Sequence, residues 1–357
     1  MLKRFIIFFV GLMLFTGCAK NPDKLEISFM SWGSITEVGV IKKLISDFEK
    51  ENPDIRIKFM HTPQNYFQKL HLLFASNTAP DVIFINNLNL PVYSDYLMDL
   101  SEFIEKEDFY KAPLEGLTYD GKLLAIPRDA SNLVLYVNKN VVNVSNKKWT
   151  LEELLKTAQK ATNEKHFGIG FEEDIYWVLP YLSYYGEVFD ENFEPQNSKG
   201  FKFYKDLRDK YKVAPKKSQI GSSTLAQMFL DEKIAIYPSG RWMYPKIKES
   251  ATFDWEIIPF PRGIKPYPSD TSGWALSKST KNKKEAIRFI KYLSQEKSSE
   301  YFAQTGLIVP ARIKASKLLE NNRHSERVFL EVLKESEKTP VSEKYNKIVS
   351  QFNVKNF

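Results

Sequence analysis

Leu25-Glu26-Ile27-Ser28-Phe29-Met30-Ser31-Trp32 alternates apolar and polar side chains, which predicts a strand ending at Met30-Ser31-Trp32. Val38, Ile41, Leu44, Ile45 and Phe48 then recur on one helical face, and Asn52-Pro53 stops that helix, because a residue before proline disfavours helical backbone. Ile55, Ile57 and Phe59 alternate again, and a second helix is expected around Tyr66 to Ser76. Pro80-Asp81-Val82-Ile83-Phe84-Ile85 is apolar enough for a parallel strand covered on both faces. Strands alternating with helices predict an α/β lobe, and ligands of open α/β sheets sit beyond the carboxyl ends of the strands. Those ends carry Trp32-Gly33-Ser34, His61 to Gln64, and Asn86-Asn87. One aromatic ring and several amides at one rim suit a neutral, hydroxyl-rich ligand, although each residue is equally at home in a polar loop.

Upstream, Lys3-Arg4 and the apolar run Phe5 to Phe15 read as the charged and hydrophobic regions of a secretory signal, too short to span a membrane. Cys18 is the sole cysteine, so no disulfide is available and stability rests on packing. A mature chain of residues 18–357 exceeds what one core usually fills, and two lobes are expected. Lys and Arg number 51 against 44 acids; without Lys3 and Arg4 the formal charge falls from +7 to +5. The basic pairs Lys147-Lys148, Lys216-Lys217 and Lys283-Lys284 are dispersed, which argues against a nucleic-acid stripe. His61, His71, His166 and His324 lack metal-ligand spacing, and there is neither a phosphate-cradling glycine loop nor a G-x-S-x-G elbow. No metal, cofactor or catalytic residue is expected.

Downstream, Thr150 and Glu153 form a capping box ahead of Leu154, Leu155, Ala158 and Ala161. Phe167 to Phe171 reads as a strand, followed by Glu172-Glu173-Asp174 and a helix opened by Tyr176-Trp177. A glycosidase needs two carboxyls at a defined separation across the scissile bond, which adjacent loop residues do not supply. In Phe229-Leu230-Asp231-Glu232-Lys233-Ile234-Ala235-Ile236-Tyr237-Pro238-Ser239-Gly240-Arg241-Trp242, the run Ile234 to Tyr237 reads as a buried strand and Ser239-Gly240 as a sharp turn. Arg241-Trp242 then open a helix, with an aromatic face beside backbone N–H groups, as a sugar requires. A core role fits Trp242 and Trp177 equally well. Trp255 to Pro261 carries another strand, Ser269 to Ser277 crosses back, and Asn282 with Glu285 caps a helix through Ala286, Phe289, Ile290 and Leu293.

Lys233-Ile234-Ala235-Ile236-Tyr237-Pro238-Ser239-Gly240-Arg241-Trp242 resembles the GkxAMxxxGxW stretch of the extracellular solute-binding protein family 1, the sugar-binding components of ABC importers. Phe48 to Ile55 resembles its FExxNPxI segment, and Ala79-Pro80-Asp81-Val82 its PDV strand. Asp120-Gly121-Lys122 to Pro127 with Leu135 to Lys139, Trp149 to Leu154, Ser272 to Ser277 and Gly306 to Arg312 are similar to further segments in family order. Leu14-Phe15-Thr16-Gly17-Cys18 resembles a lipobox, with Phe15 where Leu is usual. The tail departs: Thr339 to Phe352 looks like a penultimate helix, yet the sequence ends at Phe357 where relatives add another, which puts a C-terminal cleft wall in doubt.

The resemblance implies a two-lobed, periplasmic-binding-protein type II-like fold with three crossover segments. Residues 1–17 would be the signal and 18–24 a tether lipidated at Cys18. Residues 25–128 with 273–306 would form the N-terminal lobe, and 129–272 with 307–357 the C-terminal lobe. Arg128-Asp129-Ala130-Ser131 would be the first hinge strand, with Asp129 facing the cleft. Trp32, Trp177, Trp242 and Trp274 would stack on sugar faces; Gln64, Asn86, Asn87, Asp129 and Arg241 would hold hydroxyls; Gly273 would let backbone approach the ligand. The implied protein is a monomeric, exported, membrane-anchored lipoprotein that captures a carbohydrate by lobe closure and delivers it to an ABC permease. The competing readings are a polyol phosphate held by Arg241 or a lysine, another non-sugar solute, a surface carbohydrate-active enzyme, and a sensory or adhesive lipoprotein that works without a permease.

Overall fold

The computed structural model describes residues 24–143, 149–320 and 324–357. The expected signal, Cys18 and nearly all of the tether lie outside them. The strands in chain order are β1 Leu25–Ser31, β2 Ile55–His61, β3 Val82–Asn86, β4 Thr118–Tyr119, β5 Lys122–Leu123, β6 Ala125–Ser131, β7 Val134–Asn138, β8 Phe167–Ile169, β9 Ile234–Ser239, β10 Trp255–Ile258, β11 Tyr267–Leu276, β12 Val309–Pro310 and β13 Ser336–Lys338. They build a seven-stranded sheet in the order β12-β6-β11-β3-β1-β2, with β13 also on β11, and a four-stranded sheet in the order β10-β7-β9-β8. β1 runs parallel to β2 and β3, as the alternation of strands and helices predicts, while β11 returns antiparallel to β3 and β6.

The local signals act as their chemistry dictates. Helix Ile35–Glu51 buries Val38, Ile41, Leu44, Ile45 and Phe48, starts at a Ser34/Glu37 capping box and stops at Asn52. Thr150 and Glu153 close the second box, at 2.8 and 3.1 Å. The other expected box does not form. Asn282 turns its amide to the Glu26 carbonyl at 3.3 Å, and helix Lys283–Ser294 starts without a side-chain cap.

Two bodies of core result. Residues between Ile27 and Ile126, joined by those between Trp274 and Ala311, pack around the larger sheet; residues between Ala130 and Tyr267, joined by those between Val309 and Phe352, pack around the smaller one. The chain passes between them through β6, β11 and β12, which lie side by side. Asp129 is opposite Ser272 on one flank and Pro310 on the other, and Ala130 is opposite Thr271 and Val309. The register shifts between Ser272 and Gly273.

That strand corrects two expectations. Trp274 is 0 % exposed, its ring 4.7 Å from Phe84, 5.6 Å from Phe29 and 6.0 Å from Phe302, so it is core and offers no stacking face. Gly273 does allow a close approach, but of protein: a Cβ there would sit 2.3 Å from the Ile126 carbonyl oxygen and 2.6 Å from Leu117 Cδ1. Gly273→Ala should therefore destabilise the chain by about 1–3 kcal/mol through overpacking between paired strands, read as a lower denaturant midpoint; an unchanged midpoint would contradict this packing.

Asp270, two residues before the register shift, is only partly exposed. Its Oδ1 accepts from Asn87 Nδ2 at 3.3 Å. Burial pushes its carboxyl up to about 6, against the pull of the neighbouring polar groups of Thr339 and Asn87. A carboxyl raised in the folded state favours folding below its unfolded value and loses that contribution as pH climbs through the folded one. The window here runs from about pH 4 to about pH 6, and a shift of about two units corresponds to at most about 3 kcal/mol. Asp270→Asn should accordingly gain stability relative to the natural chain between pH 4 and pH 6, measured by urea unfolding at both ends; parallel curves would show that Asp270 is not the group responsible.

Candidate functional site

The carboxyl ends of β1, β2 and β3 form one rim. After β1, the Trp32 ring leans on Phe84 at 4.2 Å, Tyr66 at 4.7 Å and Phe67 at 5.4 Å, and stays partly exposed. After β2, His61 Nε2 lies 3.0 Å from the Gly33 carbonyl oxygen, which ties two rim loops together, and Gln64 is exposed. After β3, Asn86 Oδ1 accepts from the Asn89 backbone N–H at 3.1 Å and from Asn89 Nδ2 at 2.9 Å. The expected role of Asn87 is corrected. It is fully buried, its Oδ1 accepts from the Thr271 N–H at 3.0 Å, and it clamps the rim to the β11 crossing.

Asp129 is also corrected. At 4 % exposure its carboxylate accepts from Nε of the neighbouring Arg128. Burial pushes the Asp129 carboxyl up while Arg128 draws it down. The same guanidinium donates to Glu37 at 3.2 Å and lies 4.1 Å above the Phe84 ring. Asp129 is thus engaged by protein and presents no free pair of oxygens to hydroxyls.

A second aromatic cluster belongs to the second lobe. Asp174 caps helix Ile175–Tyr184, accepting from the Tyr176 N–H at 2.8 Å, and also accepts from Asn353 Nδ2 at 2.7 Å. This sets Tyr176 and Trp177 edge to face at 5.2 Å, with Trp177 Nε1 donating to the Pro238 carbonyl at 3.3 Å. Trp242 stands 6.3 Å from Tyr176 and is 37 % exposed. It follows the turn at Gly240, where a methyl group would fall 1.9 Å from the indole. Glycine there lets the ring lie against the backbone with its remaining face outward.

Arg241 turns the other way, which corrects its expected contact with ligand. It is 3 % exposed, donates to Glu326 at 2.9 Å and packs 5.1 Å from the rings of both Tyr244 and Phe329. It borders a separate recess of about 620 Å³ shared with Pro245, Thr305 and Gly306. Glu326 lies 85 positions downstream, and no local signal announces the pairing.

Sequence reasoning missed three contributors to this cluster. Tyr345 and Tyr176 each stand close enough to Asp270 to feel its charge, and burial drives both phenols up. Asn346 Nδ2 reaches the N-terminal lobe, donating to the Leu88 carbonyl at 3.3 Å and to Asn89 Oδ1 at 2.8 Å. The last helix therefore reaches the lobe boundary. Among the described residues no His, Cys, Asp and Glu gather as a metal site, and no helix is long and apolar enough to cross a membrane.

Comparison with known proteins gives concordant matches. The model of the bacterial extracellular solute-binding protein family covers residues 43–324. The maltodextrin-binding protein MdxE of Bacillus subtilis is 27 % identical over 335 residues, 86 % of this chain and 79 % of that one. The multiple sugar-binding protein of Streptococcus mutans is 26 % identical, covering 82 % and 78 %. Among solved structures, an ABC substrate-binding protein of Listeria monocytogenes in complex with cycloalternan superposes with a TM-score of 0.81 at 22 % identity, covering 93 % and 92 %. A maltotriose-binding protein of Thermus thermophilus gives 0.73 at 22 %, with the same coverage. Two cores joined by three adjacent strands, with an aromatic wall at their boundary, thus have a known setting: this chain belongs to the bacterial extracellular solute-binding protein family.

Proposed function

We propose that this protein is the extracytoplasmic, lipid-anchored receptor of an ABC importer, taking up a carbohydrate between its lobes and passing it unchanged to the permease. The observation that carries the reading is Trp242, held against Gly240 and beside Tyr176 with part of its indole open at the lobe boundary. An aromatic face left exposed beside polar groups suits the C–H faces of a sugar. Relatives named for maltodextrin and multiple-sugar binding support the ligand class. The Lys3-Arg4 leader and Cys18 support export and anchoring.

Closure rotates the lobes about β6, β11 and β12, so affinity reflects the fraction of closed receptor as well as the contacts made in it. A polyol phosphate receptor would need a cation in the cleft. Arg241, the candidate, instead faces Glu326.

Thermal unfolding of the chain from Lys20 onward, screened with mono-, di- and oligosaccharides, sugar phosphates and amino acids, tests the reading. A sugar at a hundred times its Kd should stabilise the native state by about 2.7 kcal/mol. Trp242→Ala should weaken that sugar at least about tenfold, or about 1.4 kcal/mol. A response only to phosphorylated or other charged solutes, or an undiminished response in Trp242→Ala, would overturn the aromatic-platform account.

A further inference from the structure

Arg241 has more hydrogen-bonding capacity than the protein around it uses. A guanidinium carries more N–H donors than any other side chain, and none of them can be removed by deprotonation. Nη2 donates to Glu326 Oε2 at 2.9 Å, and the rings of Tyr244 and Phe329 lie 5.1 Å from the guanidinium centre. Among the described residues Nε and Nη1 have no partner, although the side chain is 3 % exposed. Arg128, which is buried to a similar degree, uses Nε and Nη2 on two carboxylates and leaves only Nη1 without a partner. Buried donors without an acceptor are costly, and each one calls for an explanation.

Space for an acceptor lies beside it. The recess of about 620 Å³ that Arg241 lines is of the size that small molecules occupy. Its walls come from both bodies of core. Tyr244 and Leu319 belong to the core of the smaller sheet, whereas Thr305 and Gly306 follow Phe302 of the larger one. Gly306, at φ +75°, brings its backbone across the boundary: a Cβ there would lie 3.4 Å from Pro245 Cγ and 3.5 Å from Tyr244 Cδ1. Lys248 is exposed, with Nζ 5.5 Å from the Tyr244 ring. The charged lining is balanced, with Arg241 and Lys248 against Glu249 and Glu326. A multiply charged anion would therefore meet two carboxylates, while a single carboxylate gains charge-assisted bonds from the guanidinium. Pro245, Leu318 and Leu319 give the same recess an apolar flank.

We propose that this recess is a second binding site, which takes a monocarboxylate with a short apolar body. Its oxygens accept from Arg241 Nε and Nη1, and its carbon chain lies against Pro245, Leu318 and Leu319. Because both lobes wall the recess, an occupant bears on the angle between them, and Arg241 directly precedes Trp242. The carboxylate is therefore an effector of the cleft. The site stands without the carbohydrate reading, whereas the coupling rests on it. Such coupling is reciprocal, so sugar and carboxylate change each other's affinity by the same factor.

Acetate, propionate and butyrate, with chloride and inorganic phosphate at matched ionic strength, are titrated against the chain from Lys20 onward by thermal unfolding and calorimetry. A saturable rise in midpoint is expected, growing from acetate to butyrate and absent with chloride. Arg241→Met combined with Glu326→Gln removes the buried ion pair as a unit and should weaken butyrate at least about tenfold. Lys248→Glu, an exposed change, should weaken it about threefold through charge alone, and it carries the test if the double variant does not fold. With a sugar that binds the cleft, saturating butyrate should shift the sugar's Kd about fivefold or more. Undiminished butyrate binding in these variants overturns the site, and preference for phosphate overturns the ligand class. A sugar Kd that ignores butyrate overturns the coupling. Butyrate binding with no response to any sugar overturns the carbohydrate reading and keeps the site; a sugar response with none to any carboxylate does the reverse.

Discussion

The pairing of β6 with β11 and β12 is the constraint on which the remaining structure depends. All traffic between the lobes in the described chain runs through three neighbouring strands, and their ladder fixes which residues can lie at the boundary. This explains an otherwise odd concentration of buried polar side chains: Asn87, Arg128, Asp129, Asn132, Ser269 and Thr271 all lie on or beside the crossings. Asn132 donates to the Pro268 carbonyl at 2.8 Å and to Ser336 at 2.9 Å, which ties the start of the second lobe to β11 and β13. Polar groups kept in hydrogen bonds hold a narrow connection in register without the broad apolar contact that would lock the two lobes at one angle.

The aromatic wall follows from the same geometry. β9 runs antiparallel to β7 with Ser239 opposite Val134, so the turn at Gly240 emerges close to where β6 gives way to β7. Tyr136, on β7, donates to the Gly240 carbonyl at 2.9 Å and fixes that turn. Trp242 is thereby held by backbone contact on one side and left uncovered on another. Helix Ile175–Tyr184 is locked in turn by Asn353, whose Oδ1 accepts from the Ile175 N–H at 3.0 Å and whose Nδ2 donates to Asp174. The last helix is therefore part of the wall's foundation.

Periodicity made much of this legible in the sequence. The alternation in Leu25 to Ser31 and Ile55 to His61, the five-residue face of the first helix and one of the two expected capping boxes were all readable, because each depends on residues within a few positions of one another. The fate of individual side chains was less so. Trp274 lies in a strand covered on both sides, where an aromatic beside a glycine looks the same whether the ring meets ligand or Phe84. Arg241 and Trp242 are adjacent and face opposite ways, a choice made by Glu326 and Phe329 far along the chain. Asp129 has the composition of a ligand contact, and only the position of Arg128 between Glu37 and the Phe84 ring shows where its charge goes. Asp270 carried no motif at all.

Arg128 shows how tightly rim and hinge are bound together. Its Nη2 meets Glu37 Oε1, while Glu37 Oε2 accepts from the Ser34 N–H at 2.9 Å, so the cap that starts the first helix also anchors the loop behind Trp32. The opposite edge meets Asp129 in the β6 crossing, and the plane stacks on Phe84, the ring against which Trp32 leans. Only a planar fork satisfies two carboxylates and an aromatic face at once; lysine would supply the charge without the geometry. With two acids facing one guanidinium, any displacement of the β6 crossing alters a buried charge balance that also holds the ligand rim. Rim position and the β6 crossing are therefore coupled through one side chain, and the Trp32 ring that leans on Phe84 is set by the residue beside that crossing.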